Sequence, residues 1–449
     1  MRISSHHALS ALAACATASA FGFSAQITDT KTDQNGQTGA VTVTYRLTGE
    51  DAVVTADVQT NANLNGKWTS IGPANYTGMT GDVWKKVTAD GSLRTISWPT
   101  LGDGETKPPT FGRRVRVVLT AWSTNAPPDY LVINLDRSRT IPHAYYTAEA
   151  LLPAGGSVTN KVYKDDFLVM KRIHAAGVTW MMGNDAVAKK GYAVGGVSER
   201  ATEVAHPVML THDYYIGVYP ITAAQHSRIM NKEYVDSRTP AVNIGYLSCR
   251  GGKTGAGGRF PSYKDDGTFD WETSHGVEPS YLIGKLRSWT GFKWIDIPTE
   301  AEWEFAARAG SSRGVYYTTD MTYATLEASY ARVSGNKGQA DCEGRTGNLA
   351  TVGSYLPNGF GLYDMLGNAS ECVLDWYEDW STCNEGGPID ASFVRVDPVG
   401  PATGSSRVMC GGHYSWGVGY TYIGNRSVGS AAPGWDGGLY GARVCLTLR

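Results

Sequence analysis

The chain has 449 residues, enough for two or three domains at roughly 150 residues each. Charged residues make up only 18% while Gly (54), Tyr (25) and Trp (13) are abundant, a profile that excludes a disordered chain or a coiled coil and points to a loop-rich fold of short strands. With 40 basic against 42 acidic residues and no block of like charge, the sequence carries no electrostatic footprint for nucleic acid or an anionic membrane.

Residues 1–25 read as a secretory signal. Arg2 supplies one fixed positive charge, and the small-residue apolar run from Ala8 to Phe23 is too short to span a bilayer. Ala18-Ser19-Ala20 fits the small-x-small cleavage rule, whereas a cut after Ala25 would leave bulky Phe23 at the minus-three position. Leu12-Ala13-Ala14-Cys15 also resembles a lipobox, which makes a lipid anchor at Cys15 the minority reading. No later stretch is long and apolar enough for a membrane span, so a secreted, periplasmic or cell-surface location is expected. Besides Cys15 there are Cys249, Cys342, Cys372, Cys383, Cys410 and Cys445. An even number in an oxidising compartment suggests one to three disulfides, with the pairing left open. No C-x-x-C or close Cys/His cluster argues for structural zinc.

From 26 to 140 the pattern has period two. Val41 to Tyr45, Val53 to Val58, Arg94 to Trp98, Val115 to Trp122 and Tyr130 to Leu135 alternate between Gly, Pro, Asn and Asp turns. This predicts a β-sandwich of immunoglobulin or fibronectin type III kind, without the Cys-Trp-Cys core of true immunoglobulins and without a catalytic constellation. Residues 141–164 read as a linker.

Helix signals begin only in the remaining segment, 165–449. Thr222 with Gln225 and Thr299 with Glu302 are capping boxes, the first opening a helix through Met230 and the second a helix stopped at Gly310. Between them Ser280 is placed to cap a helix whose Leu282, Ile283, Leu286 and Trp289 share a face and which ends at Gly291. The fold class is therefore α+β behind an all-β N-terminal sandwich. Glu302 and Glu304 read as a capping and a solvated carboxylate rather than an acid/base pair, and Trp303, Phe305 and Trp376 as core aromatics.

Five strings in this segment follow a known order. They are Val178 to Gly183; His206 to Leu210 with Tyr214 to Thr222; Ile297-Pro-Thr-Glu-Ala-Glu-Trp-Glu-Phe-Ala-Ala-Arg-Ala-Gly310; Pro357 to Glu371 with Asp375-Trp376; and Arg407 to Gly412 with Gly441-Ala-Arg443. Together they resemble the formylglycine-generating enzyme, or sulfatase-modifying factor, family, whose domain is a complex C-type-lectin-like fold. The resemblance runs from about Phe167 to Arg449.

Two metal expectations follow. Asp364 and Glu371 flank a Gly367-Asn368 turn, and carboxylates with carbonyls can wrap Ca²⁺, which takes roughly six to eight oxygens. The resemblance implies a structural Ca²⁺ held at Asp364, Gly367, Ala369 and Glu371. At the family's other Ca²⁺ site Arg332 stands where an Asn ligand is implied, and a guanidinium cannot ligate a cation. The family's oxidases bind Cu(I) through two cysteines at the positions matched here by Trp416 and Thr421; neither is a thiolate, so a copper site and the oxidation it serves are not expected. Cys410 alone cannot replace the pair, and His413 reads as a hydrogen-bonded wall residue rather than a ligand.

What remains after the Gly411-Gly412 pair is an aromatic stretch interleaved with Gly and Ser. His413, Tyr414, Trp416, Tyr420, Tyr422, Arg426 and Trp435 are the candidate ligand-binding residues, with Asn425, Asp436 and Tyr440 beside them. Rigid aromatics among adaptable Gly and Ser suit glycan or peptide recognition; loop packing is the competing reading. Three functions are thus set against one another: a secreted non-catalytic binding protein, a retained formylglycine-generating oxidase, and a variable protein of a diversity-generating retroelement.

Overall fold

The computed structural model describes residues 15–18, 23–35, 38–61, 68–71, 78–99, 114–136, 143–153, 156–184, 204–233, 235–252, 259–311, 316–317, 321–378, 392–430 and 439–449. The chain divides into two units, 1–132 with 143–160, and 133–142 with 161–449.

The first unit is a pair of sheets around one apolar core. One sheet runs Gln26–Gln34, Val41–Thr48, Leu93–Trp98, Thr80–Gly81. The other is built on Ala52–Asn61 and Arg114–Ser123, which pair antiparallel over their whole length. Alternation does the sorting, since residues two apart share a face. Val41, Val43, Tyr45 and Leu47 point in and meet Val54, Val58, Val117 and Leu119 of the opposite sheet. This is the expected sandwich, with different edges. Cys15–Ala18, inside the presumed leader, lies parallel along Arg114–Ser123 with Cys15 opposite Leu119, and Ala25 is buried in the core. The 141–164 stretch is not a linker. Tyr145 donates its N–H to Trp84 O at 2.7 Å and Leu151 enters the sandwich core, because these apolar side chains find burial there. Conversely the Tyr130–Asn134 strand belongs to neither of these two sheets, and just after it Leu135 N–H bonds Asp166 O at 2.8 Å.

The second unit holds three small sheets and short helices. Phe167–Ile173 pairs with Tyr214–Gly217, that strand with Cys445–Thr447, and that one with Ile295–Asp296, all antiparallel. Thr179–Met182, His206–Met209 and Arg395–Val396 form the second sheet. The third carries the candidate site in the order Ser427–Ser430, Ser406–Cys410, Ser370–Trp376, Tyr440–Gly441. Both capping boxes form: Thr222 accepts from Gln225 N–H, and Thr299 from Glu302 N–H, each with the reciprocal side-chain bond, opening helices Ala223–Met230 and Glu300–Arg308. Ser280 does not cap the helix Leu282–Thr290; Tyr281 stands at its N-cap without a side-chain bond. Trp303 and Phe305 enter the core as expected. Glu304 is not solvated: it is buried, ion-paired to Arg308, and accepts Gly183 N–H at 2.8 Å. Glu302 too is buried, accepting from Thr447 and meeting His212. No disulfide links Cys249, Cys342, Cys372, Cys410 and Cys445 to one another; Cys383 lies outside the described residues.

Candidate functional site

The Ser406–Cys410 strand ends at Gly411 and Gly412, both at positive φ (+84° and +71°). A Cβ on Gly411 would stand 2.6 Å from Met365 O, and one on Gly412 would stand 3.0 Å from Thr421 Oγ1. The glycine pair therefore does two things at once: it reverses the chain and lets residues 413–421 close back onto the sheet. Gly412→Ala is expected to cost about 1–2 kcal/mol from the left-handed conformation alone, read as a lowered denaturation midpoint; an unchanged midpoint would show that the loop has room to spare.

The loop is fixed mainly by backbone groups. Tyr414 N–H donates to Asn368 O at 3.0 Å, Trp416 O accepts Ser334 N–H at 2.9 Å, and Thr421 N–H donates to Val418 O at 3.0 Å. Thr421 is fully buried and its hydroxyl donates to Gly417 O at 3.3 Å. The Trp416 ring packs on His413 with centroids 4.5 Å apart and lies 6.3 Å from Tyr420. His413 is buried beneath, in edge contact with Tyr414 and Tyr440. Its Nδ1 lies 2.9 Å from Ser415 Oγ and 3.3 Å from Ser415 N. Burial lowers its pKa to about 4. It stands buried behind the Trp416 ring rather than displayed.

Of the other candidates, Tyr414 and Trp416 are half-buried and Tyr420 is 44% exposed. Two were misplaced by reading the sequence. Tyr422 is buried in the main core. Arg426 is buried on Glu300 through Nε–Oε1 at 2.5 Å and Nη2–Oε2 at 3.0 Å, and also donates to Glu378 O. Both lie where the loop re-enters the fold, and alternation of aromatics with glycine does not distinguish re-entry from display. Trp435 and Asp436 lie outside the described residues. Ser334 and Asn368, which hold the loop, were missed because they act through main-chain atoms that no residue type advertises.

The residues expected to hold Ca²⁺ are also engaged within the chain. Both Glu371 oxygens accept from Arg443, at 2.7 and 2.9 Å, and Oε2 also takes the Trp303 indole N–H at 2.7 Å. Asp364 accepts Gly353 N–H at 2.6 Å and an Asn368 amide N–H at 3.3 Å, and burial raises its pKa. Gly367 is held against Arg332 O, with N–H to Gly411 O, and Ala369 follows it into the buried turn.

These strands, the buried Glu371–Arg443 pair and the helix Glu300–Arg308 define an α+β domain of complex C-type-lectin-like build. Residues 173–447 match the family described as sulfatase-modifying factor enzyme 1-like domain, and the chain belongs to that family. It is similar to the formylglycine-generating enzyme of Thermomonospora curvata, 34% identical over 143 residues, which are 28% of this chain and 40% of that one. The serine/threonine-protein kinase pkn1 of Chlamydia pneumoniae is 28% identical over 233 residues, 49% of this chain and 31% of that one. Among solved structures, Treponema denticola variable protein 1 superposes with a TM-score of 0.42 at 21% identity, over 62% of this chain and 95% of that one. The chain thus spans less than half the length of these curated relatives.

Proposed function

We propose that the chain is a non-catalytic binding protein that takes a glycan or peptide on Tyr414, Trp416 and Tyr420. One observation carries this reading: of the two positions that the family resemblance gives to copper-binding cysteines, one is a buried, internally bonded threonine and the other a half-exposed tryptophan backed by a fixed histidine. Such a platform can stack on a sugar or aromatic face at small entropic cost, since its backing is already ordered. Among the described residues no helix is long and apolar enough to cross a membrane, and the leader-like N-terminus supports export.

Screening a glycan array and a peptide library should give a ligand. Trp416→Ala should then weaken it by roughly 2 kcal/mol or more, about thirtyfold in Kd, with Tyr420→Ala weaker in effect and both variants folded. A ligand indifferent to both substitutions would sink the assignment of the surface. Aldehyde formation on a cysteine-containing sulfatase peptide incubated with the protein and copper would overturn the non-catalytic reading.

A further inference from the structure

Six arginines are deeply buried in the second unit, and two of them, Arg332 and Arg407, have no carboxylate in ion-pair contact among the described residues. Arg407 donates to Leu374 O and lies against the Tyr246 and Trp376 rings. Arg250, Arg308, Arg426 and Arg443 each sit on a carboxylate. Arg332 is fully buried, and no carboxylate pairs with it among the described residues. Its guanidinium instead donates to neutral oxygens only: Nε to Asn348 O at 3.2 Å, Nη1 to Asn336 O at 2.9 Å and Tyr355 Oη at 3.3 Å, Nη2 to Gln339 O at 2.9 Å and Gly347 O at 2.6 Å. A guanidinium has five N–H donors, and all five are used.

The four carbonyl oxygens come from one irregular loop that folds around the charge. Asn336 turns the chain through Oδ1 to Val333 N–H at 2.9 Å, Gly338 N–H meets Gly347 O at 2.9 Å, and Asp341 closes the far end by accepting Glu343, Arg345 and Thr351 N–H groups. Asp341 spends its oxygens on these amides. Convergent main-chain carbonyls are the ligand shell that a hard cation such as Ca²⁺ takes. Without a positive charge at the centre, four carbonyl dipoles would face one another; Gly347 O and Asn336 O would keep their bonds from Gly338 and Gln339 N–H, while Gln339 O and Asn348 O would lose the guanidinium that answers them.

We propose that Arg332 is a built-in structural cation: its guanidinium fills a carbonyl cage that would otherwise need a bound ion, so that loop 332–348 forms without divalent metal. A free ion stabilises only as the logarithm of one plus its concentration over its Kd, whereas a side chain is always present. The same loop donates Ser334 N–H to Trp416 O, which joins the cage to the aromatic loop through the main chain.

Thermal unfolding of the full chain tests this. Wild-type Tm should be unchanged by EDTA or by added CaCl₂. Arg332→Ala should lower Tm by several degrees, and millimolar guanidinium chloride, far below denaturing concentrations, should recover part of the loss where NaCl at equal ionic strength does not. A fall in wild-type Tm with EDTA, an Arg332→Ala Tm equal to wild type, or a loss that guanidinium does not relieve would each overturn the proposal. Should Arg332→Ala not accumulate folded, Arg332→Lys decides: an ammonium has three donors for five oxygens, so its Tm must fall below wild type, and an equal Tm overturns the proposal.

Discussion

Arg443→Met is expected to destabilise the second unit by about 3–5 kcal/mol, the cost of removing one partner from a buried ion pair. Arg443 is fully buried and bonds both Glu371 oxygens, Gly217 O at 2.7 Å and Tyr363 O at 2.7 Å. Those partners belong to two of the three sheets and to the Asp364 turn, so the guanidinium ties separate layers together. Methionine fills much of the volume but leaves the Glu371 carboxylate buried with only the Trp303 indole N–H to answer it. In a unit of this size the loss should lower Tm by about 10 °C. The double variant Arg443→Met, Glu371→Leu removes both charges and should regain most of it, because a buried pair replaced by apolar residues of similar volume is often nearly neutral. A single variant within about 2 °C of wild type would show that solvent reaches the pair.

How much of this was legible in the sequence depends on what each feature is made of. The capping boxes at Thr222 and Thr299 were readable because both halves of the motif lie within one helical turn. The sandwich strands were readable because alternation is local. The linker was misjudged because Tyr145 and Leu151 reveal their burial only against the sandwich core. Within the site, the residues at 416 and 421 were legible directly, and so was the exposure of Tyr420. Arg426 looked like a binding residue because a lone arginine in an aromatic loop carries no sign of its partner, and Glu300 is 126 residues away. The Glu371–Arg443 pair was not legible for the same reason: its partners lie 72 residues apart.

A second large effect is in pH dependence. Asp375 is buried beside the Glu300 carboxylate, and burial first, then that like charge, push its pKa up to about 8. Its Oδ2 accepts Glu300 N–H at 2.7 Å, so the protonated acid keeps its bond. The native state therefore holds a proton between the ordinary carboxylate value near 3.8 and about 8 that the unfolded chain lacks. By linkage the stability from this group is complete below 3.8 and is lost as pH rises toward 8. Groups with depressed values act in other windows: His143, His226 and His413, lowered to about 4 by burial, favour the fold increasingly from pH 4 to 6.5, and Asp296, lowered to about 2, does so between pH 2 and 3.8. Above pH 6.5 the falling limb belongs to Asp375 among these groups. Between pH 6.5 and 8 wild-type stability should fall by at most about 2 kcal/mol. Asp375→Asn is uncharged at every pH, and its amide oxygen can still accept Glu300 N–H. Its urea midpoint should stay level over that range and exceed that of wild type at pH 8, while a wild-type midpoint equal at pH 6.5 and 8 would mean that Asp375 ionises as freely in the fold as in the unfolded chain.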